Sequence, residues 1–161
     1  MRKFILLVIT SLATQAYAQL GGVLETKDKA FSIAQPVGWQ KIDASNKEIE
    51  IALVLNDTYP LSLMVVKEKG SEASVIAKIK AALPQDTKTA QEPFQSALGT
   101  KGTKITVTRA LQQPGSFIYQ YYYLFPKGNT CYAVIGTSGV SQENGGPEPI
   151  FNAVATTAKL K

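Results

Sequence analysis

The chain has 161 residues, of which 45% are hydrophobic and 18% are charged, and its formal net charge at pH 7 is +5. Its basic residues are scattered and include only two arginines, Arg2 and Arg109, whereas nucleic-acid-binding proteins cluster lysine and arginine on one face. There is no histidine and one cysteine, Cys131, which excludes the usual His-dependent nucleophilic sites, imidazole ligation of metals and a thiolate zinc site. We therefore expect no nucleic-acid partner, no metal, no cofactor and no catalytic residues.

The first 18 residues have the features of a secretory signal peptide. Met1-Arg2-Lys3 is a short basic region, Phe4 to Ala13 is apolar, and Ala16-Tyr17-Ala18 is a small-x-small cleavage site. The apolar run is too short to span a bilayer, no later segment is long enough, and no cysteine follows the run to carry a lipid. The sequence predicts cleavage between Ala18 and Gln19 and a periplasmic or secreted protein that is not a lipoprotein and has no transmembrane segment.

The predicted domain organisation has three parts. Residues 1–18 form the signal peptide, residues 19–28 form a flexible N-terminal lead-in, and residues 29–161 form a single domain. The last part is long enough to bury one hydrophobic core. It contains no internal repeat and no low-complexity segment.

Four strands are predicted before residue 70 from alternating apolar residues: Ala30 to Gln35, Trp39 to Asp43, Glu48 to Leu55, and Leu61 to Lys67. Trp39 follows the turn Pro36-Val37-Gly38 and is expected to anchor that corner. Glu48 and Glu50 have two interpretations, because two carboxylates on one strand face are close enough for acid–base catalysis but also suit a solvated face.

A helix is predicted to begin after Ser71, a suitable N-cap residue, and to end at Pro84. Its apolar residues recur at helical spacing: Val75, Ile76, Ile79 and Leu83. A polar connection over residues 85–92 and a short strand from Phe94 to Leu98 follow.

Three strands joined by short turns come next: Thr103 to Leu111, Ser116 to Pro126, and Thr130 to Ser138. The second of them, rich in aromatic and β-branched residues, has the strongest strand signal and is predicted to be the central strand of a sheet. A loop from Gly139 to Pro147 and a closing helix complete the chain. The apolar residues of that helix are Ile150, Phe151, Val154 and Ala158.

Alternation along the central strand defines two faces. An aromatic face carries Phe117, Tyr119, Tyr121, Tyr123 and Phe125. The strand from Thr103 to Leu111 is joined to the central strand by a loop that most simply has two or four residues. Either length places the following residues of the three strands together on the opposite face: Ile105, Val107, Leu111, Ile118, Gln120, Tyr122, Leu124, Cys131, Ala133 and Ile135. We expect this second set to form the main core face. A three-residue bulged loop would exchange the two faces, because a slip of one residue reverses every side chain.

Two interpretations of the aromatic face are open. A helix covers it as a second core layer, or it is a partly open surface that receives a protein partner or an apolar ligand. The candidate binding residues under the second interpretation are Trp39, Tyr119, Tyr121, Tyr123 and Tyr132. Cys131 is likewise either a small buried hydrophobic residue or a thiol available for an intermolecular disulfide or other reaction.

The order of these elements resembles the Mog1p/PsbP-like superfamily, which includes the DcrB-like exported proteins of bacteria. The segments that carry the resemblance are Phe31-Ser32-Ile33, Pro36-Val37-Gly38-Trp39, the aromatic strand, Cys131-Tyr132-Ala133-Val134-Ile135 and a terminal helix from Phe151 to Leu160. The likeness extends over residues 29–161. It implies an α+β fold, an α/β sandwich with a central antiparallel sheet of about six to eight strands and helices packed on its faces.

The same resemblance leads to a functional expectation. DcrB-like relatives are often lipoproteins, and some PsbP-type relatives bind metal through histidine; this chain lacks both the lipid-bearing cysteine and histidine. Other members bind partners, assist assembly or bind lipidic ligands, and no catalytic residues are shared. We therefore expect a non-enzymatic exported binding module that acts as a protein-interaction or assembly accessory factor. The alternative is a carrier of a small apolar or lipid-like ligand in a pocket between the sheet and a helix.

Overall fold

Two antiparallel sheets and two helices make up the fold of this computed structural model, which describes residues 20–44, 46–55, 61–139, 141–142 and 147–161. The strands are β1 (Leu20–Glu25), β2 (Phe31–Pro36), β3 (Gln40–Lys41), β4 (Ile49–Leu55), β5 (Leu61–Lys69), β6 (Lys88–Gln95), β7 (Lys101–Ala110), β8 (Ser116–Lys127), β9 (Thr130–Ser138), β10 (Ser141–Gln142) and β11 (Lys159–Leu160). The helices are α1 (Glu72–Ala82) and α2 (Glu148–Thr156).

The larger sheet has eight strands in the order β3-β4-β5-β9-β8-β7-β6, with β10 paired to β8 beside this path. The smaller sheet has the order β1-β2-β11. The predicted α+β sandwich with a large antiparallel sheet and helices on its faces is thereby confirmed. The aromatic strand β8 lies inside the larger sheet between β9 and β7, as its long run of β-favouring residues indicates.

The connection between β7 and β8 decides the register of the sheet. The backbone N–H of Leu111 donates to the carbonyl of Ser116 at 2.9 Å, which encloses a loop of the four residues 112–115. Ile105 therefore lies opposite Tyr122, with odd-numbered residues of β7 beside even-numbered residues of β8. This is one of the two predicted registers, and it gives the two predicted sets of side chains.

Helix α1 packs on the face that carries Tyr122. Its N-cap is Ser71, as predicted, and the Ser71 side chain accepts a hydrogen bond from the backbone N–H of Ser74. The helix and the sheet share a small core cluster whose buried members are Val75, Ile105, Val107, Leu124, Cys131 and Ala133.

The aromatic face is covered by α2 and by the smaller sheet. Phe151 of α2 lies against Tyr121 with ring centroids 5.6 Å apart, and Phe31 of β2 stacks on Tyr132 at 5.0 Å. The core cluster on the aromatic face contains more buried residues than the cluster between α1 and the sheet. The expectation that the face opposite the aromatic one forms the main core is therefore wrong. The physical reason is that two layers cover the aromatic face, whereas the 11-residue helix α1 covers only part of the other.

Two edge strands differ from the sequence prediction. Leu20–Glu25, expected to belong to a flexible lead-in, forms β1 and pairs with β2, and Leu24 packs against the core. Most of the predicted polar connection over residues 85–92 belongs to β6, which pairs with β7 along its whole length. Most side chains of both strands are exposed, so neither segment shows the apolar alternation that marks a half-buried strand.

The C-terminal segment also differs from the prediction. Helix α2 ends at Thr156, and Lys159–Leu160 then turns back as β11 to pair with β2. Within the predicted loop from Gly139 to Pro147, residues 141–142 form β10, and residues 140 and 143–146 lie outside the described residues.

The predicted signal peptide, residues 1–18, lies outside the described residues, and the division into three parts stays a prediction. Within the part of the chain that the structure describes, neither helix is long and apolar enough to cross a membrane.

Candidate functional site

The structure brings all five predicted binding residues into one cluster, inside the core. Trp39, Tyr121, Tyr123 and Tyr132 are each at most 5% exposed. Tyr119 is partly buried at the edge of the cluster, where its ring stacks on Tyr121 at a centroid distance of 6.4 Å. Their role in binding stays a prediction, and a ligand would reach Tyr121 only if α2 moved away from it.

Two of these tyrosines have very different hydroxyl environments. The Tyr132 hydroxyl donates to Asp28 Oδ2 at 2.7 Å, whereas the Tyr123 hydroxyl is buried and has no hydrogen-bond partner among the described residues. Burial raises the pKa of both phenols above the usual range for tyrosine, so both are neutral at pH 7.

A polar cluster near the aromatic face is centred on Lys104, whose side chain is 9% exposed. Its ammonium donates to Glu92 of β6 at 2.8 Å and to Glu148 of α2 at 2.5 Å. Burial by itself lowers the pKa of Lys104, but hydrogen bonds to Glu148 and Glu92 outweigh it, and the pKa rises. A lysine held cationic in this way is a link between the sheet and α2 and is unsuited to act as a nucleophile.

The sequence left a chemical role open for Glu48, Glu50 and Cys131. In the structure, the surroundings of these side chains are those of ordinary structural residues. Glu48 is exposed, and Glu50 accepts a hydrogen bond from the backbone N–H of Lys27 at 2.8 Å. Cys131 is fully buried, and burial raises the pKa of its thiol to about 11. No group of three or more His, Cys, Asp or Glu side chains that could hold a metal occurs among the described residues.

The sheet face beside α1 is partly open. It was not predicted from the sequence as a binding surface. Two depressions lie there, and together we call them the α1 trough. The smaller, of about 80 Å³, is lined by Val66, Glu68, Val75, Lys78, Ile79, Tyr122, Ala133 and Ile135. The larger, of about 230 Å³, is lined by Leu83, Pro84, Thr87, Val107, Arg109, Ile118, Gln120 and Thr137.

The two depressions lie next to each other on the sheet. Tyr122 of the smaller and Gln120 of the larger are neighbours on one face of β8, and the Tyr122 hydroxyl donates to Gln120 Oε1 at 3.3 Å. On β9, Ile135 of the smaller depression and Thr137 of the larger are likewise neighbours on one face of the strand. Burial raises the pKa of Tyr122, so its hydroxyl stays a hydrogen-bond donor at neutral pH.

Two polar groups of the larger depression, in Arg109 and Thr87, have no partner among the described residues. Arg109 forms no ion pair and no side-chain hydrogen bond with the described residues, and the Thr87 hydroxyl is buried with no partner among them. The sequence did contain a signal for Arg109: it continues the series Ile105 and Val107 at intervals of two, which places a cation on an apolar strand face.

Comparisons with known proteins bear on the fold. No protein-family model and no curated protein sequence matches the chain. Among solved structures, cyanobacterial PsbP (CyanoP) from Synechocystis sp. PCC 6803 matches with a TM-score of 0.54 and 12% identity over 95% of this chain and 99% of that one. The fold is PsbP-like. This agrees with the superfamily that the sequence resembles.

Two further structures have a similar fold. LpqN, involved in cell envelope biogenesis of Mycobacterium tuberculosis, matches with a TM-score of 0.51 and 11% identity over 86% of this chain and 89% of that one. A protein of Bacteroides thetaiotaomicron matches with a TM-score of 0.58 and 12% identity over 89% of this chain. The match spans 49% of the Bacteroides protein, about half of its length. At such identities the likeness concerns the fold alone, and function has to be argued from the site.

Proposed function

We propose that this chain is a non-enzymatic exported module that binds another protein as an accessory or assembly factor. The signal-peptide features of residues 1–18 support export to the periplasm or medium. The PsbP-like fold supports the accessory role by analogy, since it is shared with CyanoP and with LpqN, a protein involved in cell envelope biogenesis.

The α1 trough is the observation that carries this proposal. Its floor is apolar and partly exposed: Tyr122, Ile118 and Ile135 are only half-buried, although they lie on the same sheet face as the fully buried Ile105. Apolar side chains left partly exposed between a helix and a sheet are available to be covered by a partner. A side chain of a partner would remove this surface from water at about 25 cal/mol per Å² of apolar area.

The division of the trough into two small depressions, of about 80 Å³ and about 230 Å³, favours a protein partner. Its larger depression holds about 230 Å³, whereas pockets that enclose a small-molecule ligand are usually about 300–1,000 Å³. A depression of this size accommodates a side chain inserted from a partner's surface, the arrangement that dominates binding energy at many interfaces.

Site-specific photo-crosslinking in the producing cell tests this proposal. A photoreactive amino acid replaces Gln120 in the larger depression or Lys41, which is exposed on β3 at the far edge of the larger sheet. We expect a discrete protein adduct from position 120 and none from position 41. Equal labelling from both positions, or no adduct from position 120, would contradict the trough as the binding site.

A second candidate function is a carrier of a small apolar or lipid-like ligand. The observation that favours it is the apolar floor of the larger depression, where Leu83, Val107 and Ile118 meet. Native mass spectrometry of the protein purified gently from its own host distinguishes the two functions. A retained mass of a few hundred daltons would support the carrier, and a retained polypeptide would support the accessory factor.

The predicted export has its own test. Mass spectrometry of the same preparation is expected to give a mature chain that begins at Gln19 and carries no lipid. A chain that retains Met1 in the cytoplasm would contradict the proposed location, whatever the trough binds.

A further inference from the structure

We propose that the larger depression of the α1 trough receives the C-terminal end of a partner polypeptide. The last side chain of that polypeptide is apolar and lies on the floor, and its α-carboxylate pairs with Arg109. This inference rests on the proposed function and identifies the chemistry of the partner.

Charge complementarity is the first argument. Among the described residues that line the larger depression, Arg109 alone carries a formal charge. Arg109 has no carboxylate partner among the described residues, unlike Lys67, which pairs with Asp28, and Lys104, which pairs with Glu148. Most of the described lysines also have none, so it is the apolar lining around Arg109 that sets it apart. A guanidinium presents several N–H donors in a planar fork that fits both oxygens of a carboxylate. A partly buried cation of this kind favours an anionic ligand.

The neutral polar groups provide the second argument. Thr87 lines the larger depression, and its hydroxyl oxygen lies beneath the surface with no partner among the described residues. Gln120 and Thr137 stand on the adjoining strands β8 and β9 and line the same depression. The depression therefore combines one cation, neutral polar side chains and an apolar floor, which matches an apolar residue that ends in a carboxylate.

The end of helix α1 lies beside the larger depression and adds a partial charge there. The last carbonyls of a helix have no intrahelical partner and carry about half a negative charge, which opposes a carboxylate but is smaller than the full charge of Arg109. The helix ends at Ala82, directly before Leu83 and Pro84 of the depression.

The volume leads to the same occupant. The larger depression, of about 230 Å³, is smaller than the pockets of about 300–1,000 Å³ that usually enclose a small-molecule ligand. This space suits one aliphatic side chain with its terminal carboxylate. A long acyl chain would project out over the exposed sheet.

The test uses the mature chain and two pools of hexapeptides with five randomised positions and a final leucine. One pool has a free C-terminal carboxylate and the other is amidated. We expect the free-acid pool to bind at least tenfold more tightly in a fluorescence competition assay, and to shift the NMR amide signals of Arg109, Ile118 and Gln120. Arg109→Gln is expected to reduce this binding at least tenfold and to remove the preference for the free acid.

Lys101→Gln is the matched control. It removes the same charge from the same strand, but it lies eight residues from Arg109 along β7, about 27 Å away. We expect it to bind the free-acid pool as the unchanged protein does. Equal binding of the two pools, an unaffected Arg109→Gln variant, or tighter binding of decanoate than of the free-acid pool would each overturn the inference.

These failures are distinguishable from failure of the proposed function. If crosslinking from position 120 still captures a discrete protein while the two peptide pools bind equally, the partner binds the trough by another part of its surface. If crosslinking captures nothing, the proposed function itself is contradicted.

Discussion

Gly136 of β9 lies directly beneath the ring of Phe151 on α2. A Cβ atom at position 136 would lie less than 3.0 Å from three atoms of that ring, and Phe151 is fully buried. Gly136 also pairs with Tyr121 across β8 and β9, so the absence of a side chain creates the space in which the two aromatic rings meet. Glycine is required here for the close approach of the helix to the sheet.

Gly136→Ala is therefore expected to destabilise the protein by about 1–3 kcal/mol, because an additional methyl group overpacks the core. Urea denaturation monitored by circular dichroism measures the free energy of unfolding. Gly22→Ala in β1 is the control, since a Cβ atom there meets nothing within 4 Å and the expected change is within about 0.5 kcal/mol. Equal effects of the two substitutions would contradict the close packing of α2 on β9.

The two buried tyrosine hydroxyls predict opposite effects of the same substitution. Tyr123→Phe removes a buried hydroxyl that has no partner among the described residues and is expected to raise the free energy of unfolding by about 1 kcal/mol. Tyr132→Phe removes the donor to Asp28 and is expected to lower it by about 1–2 kcal/mol. Each variant serves as the size-matched control of the other, and destabilisation by both would mean that the Tyr123 hydroxyl has a partner.

Asp28 links the smaller sheet to the larger one and predicts a loss of stability in acid. Its carboxylate accepts hydrogen bonds from Lys67 at 2.6 Å, from the Thr26 hydroxyl at 2.6 Å and from Tyr132 at 2.7 Å. These interactions, that of Lys67 foremost, lower the pKa of Asp28 far below its usual value. The stabilisation is therefore fully present above the unfolded-state pKa of about 4 and declines as the pH falls below it.

Asp28→Asn is expected to lower the free energy of unfolding at pH 7 by about 1–2 kcal/mol, a modest value because the carboxylate is 30% exposed and partly screened by solvent. The variant should also show a smaller loss of stability between pH 5 and pH 3. Asp86→Asn, at an exposed position after α1, is the control. An acid transition unchanged by Asp28→Asn would show that other carboxylates are responsible.

Cys131 is expected to be unreactive in the folded protein. The side chain is fully buried, and a thiol with a pKa of about 11 has very little thiolate, the nucleophilic form, at pH 8. Iodoacetamide should label it at least a hundredfold more slowly in buffer than in 8 M urea, as followed by mass spectrometry. Rapid labelling without urea would indicate that α1 detaches from the sheet on the timescale of the reaction.

Much of the fold follows from local patterns in the sequence. Alternation along β7, β8 and β9 determines which side chains share a face, because successive residues of a strand point to opposite sides. The Ser71 cap and the helical spacing of Val75 and Ile79 define α1 for equally local reasons. Trp39 was grouped from the sequence with the tyrosines of the aromatic face as a candidate binding residue, and the structure places these residues in one core cluster.

What covers each face was decided only by the tertiary structure. The aromatic face receives β2, from the start of the domain, and α2, from its end, and β11 pairs Leu160 with Phe31 across more than a hundred residues of chain. No local pattern encodes such a contact. The edge strands β1 and β6 were missed for a related reason, since their stability comes from backbone pairing with a neighbour and not from apolar alternation.

The candidate site, too, could be predicted from local sequence patterns only in part. Strand alternation puts Arg109 of β7 and Tyr122 of β8 on one face of the sheet, although only Tyr122 was assigned to that face from the sequence. Their partial exposure depends on how far a helix of 11 residues extends over a sheet of eight strands. The periodicity of a strand specifies the side of the sheet to which each side chain points. The open trough results from the difference in size between two packed layers, helix α1 and the larger sheet. The chain by itself therefore determined the faces, and only the packing of distant segments decided which face was left open.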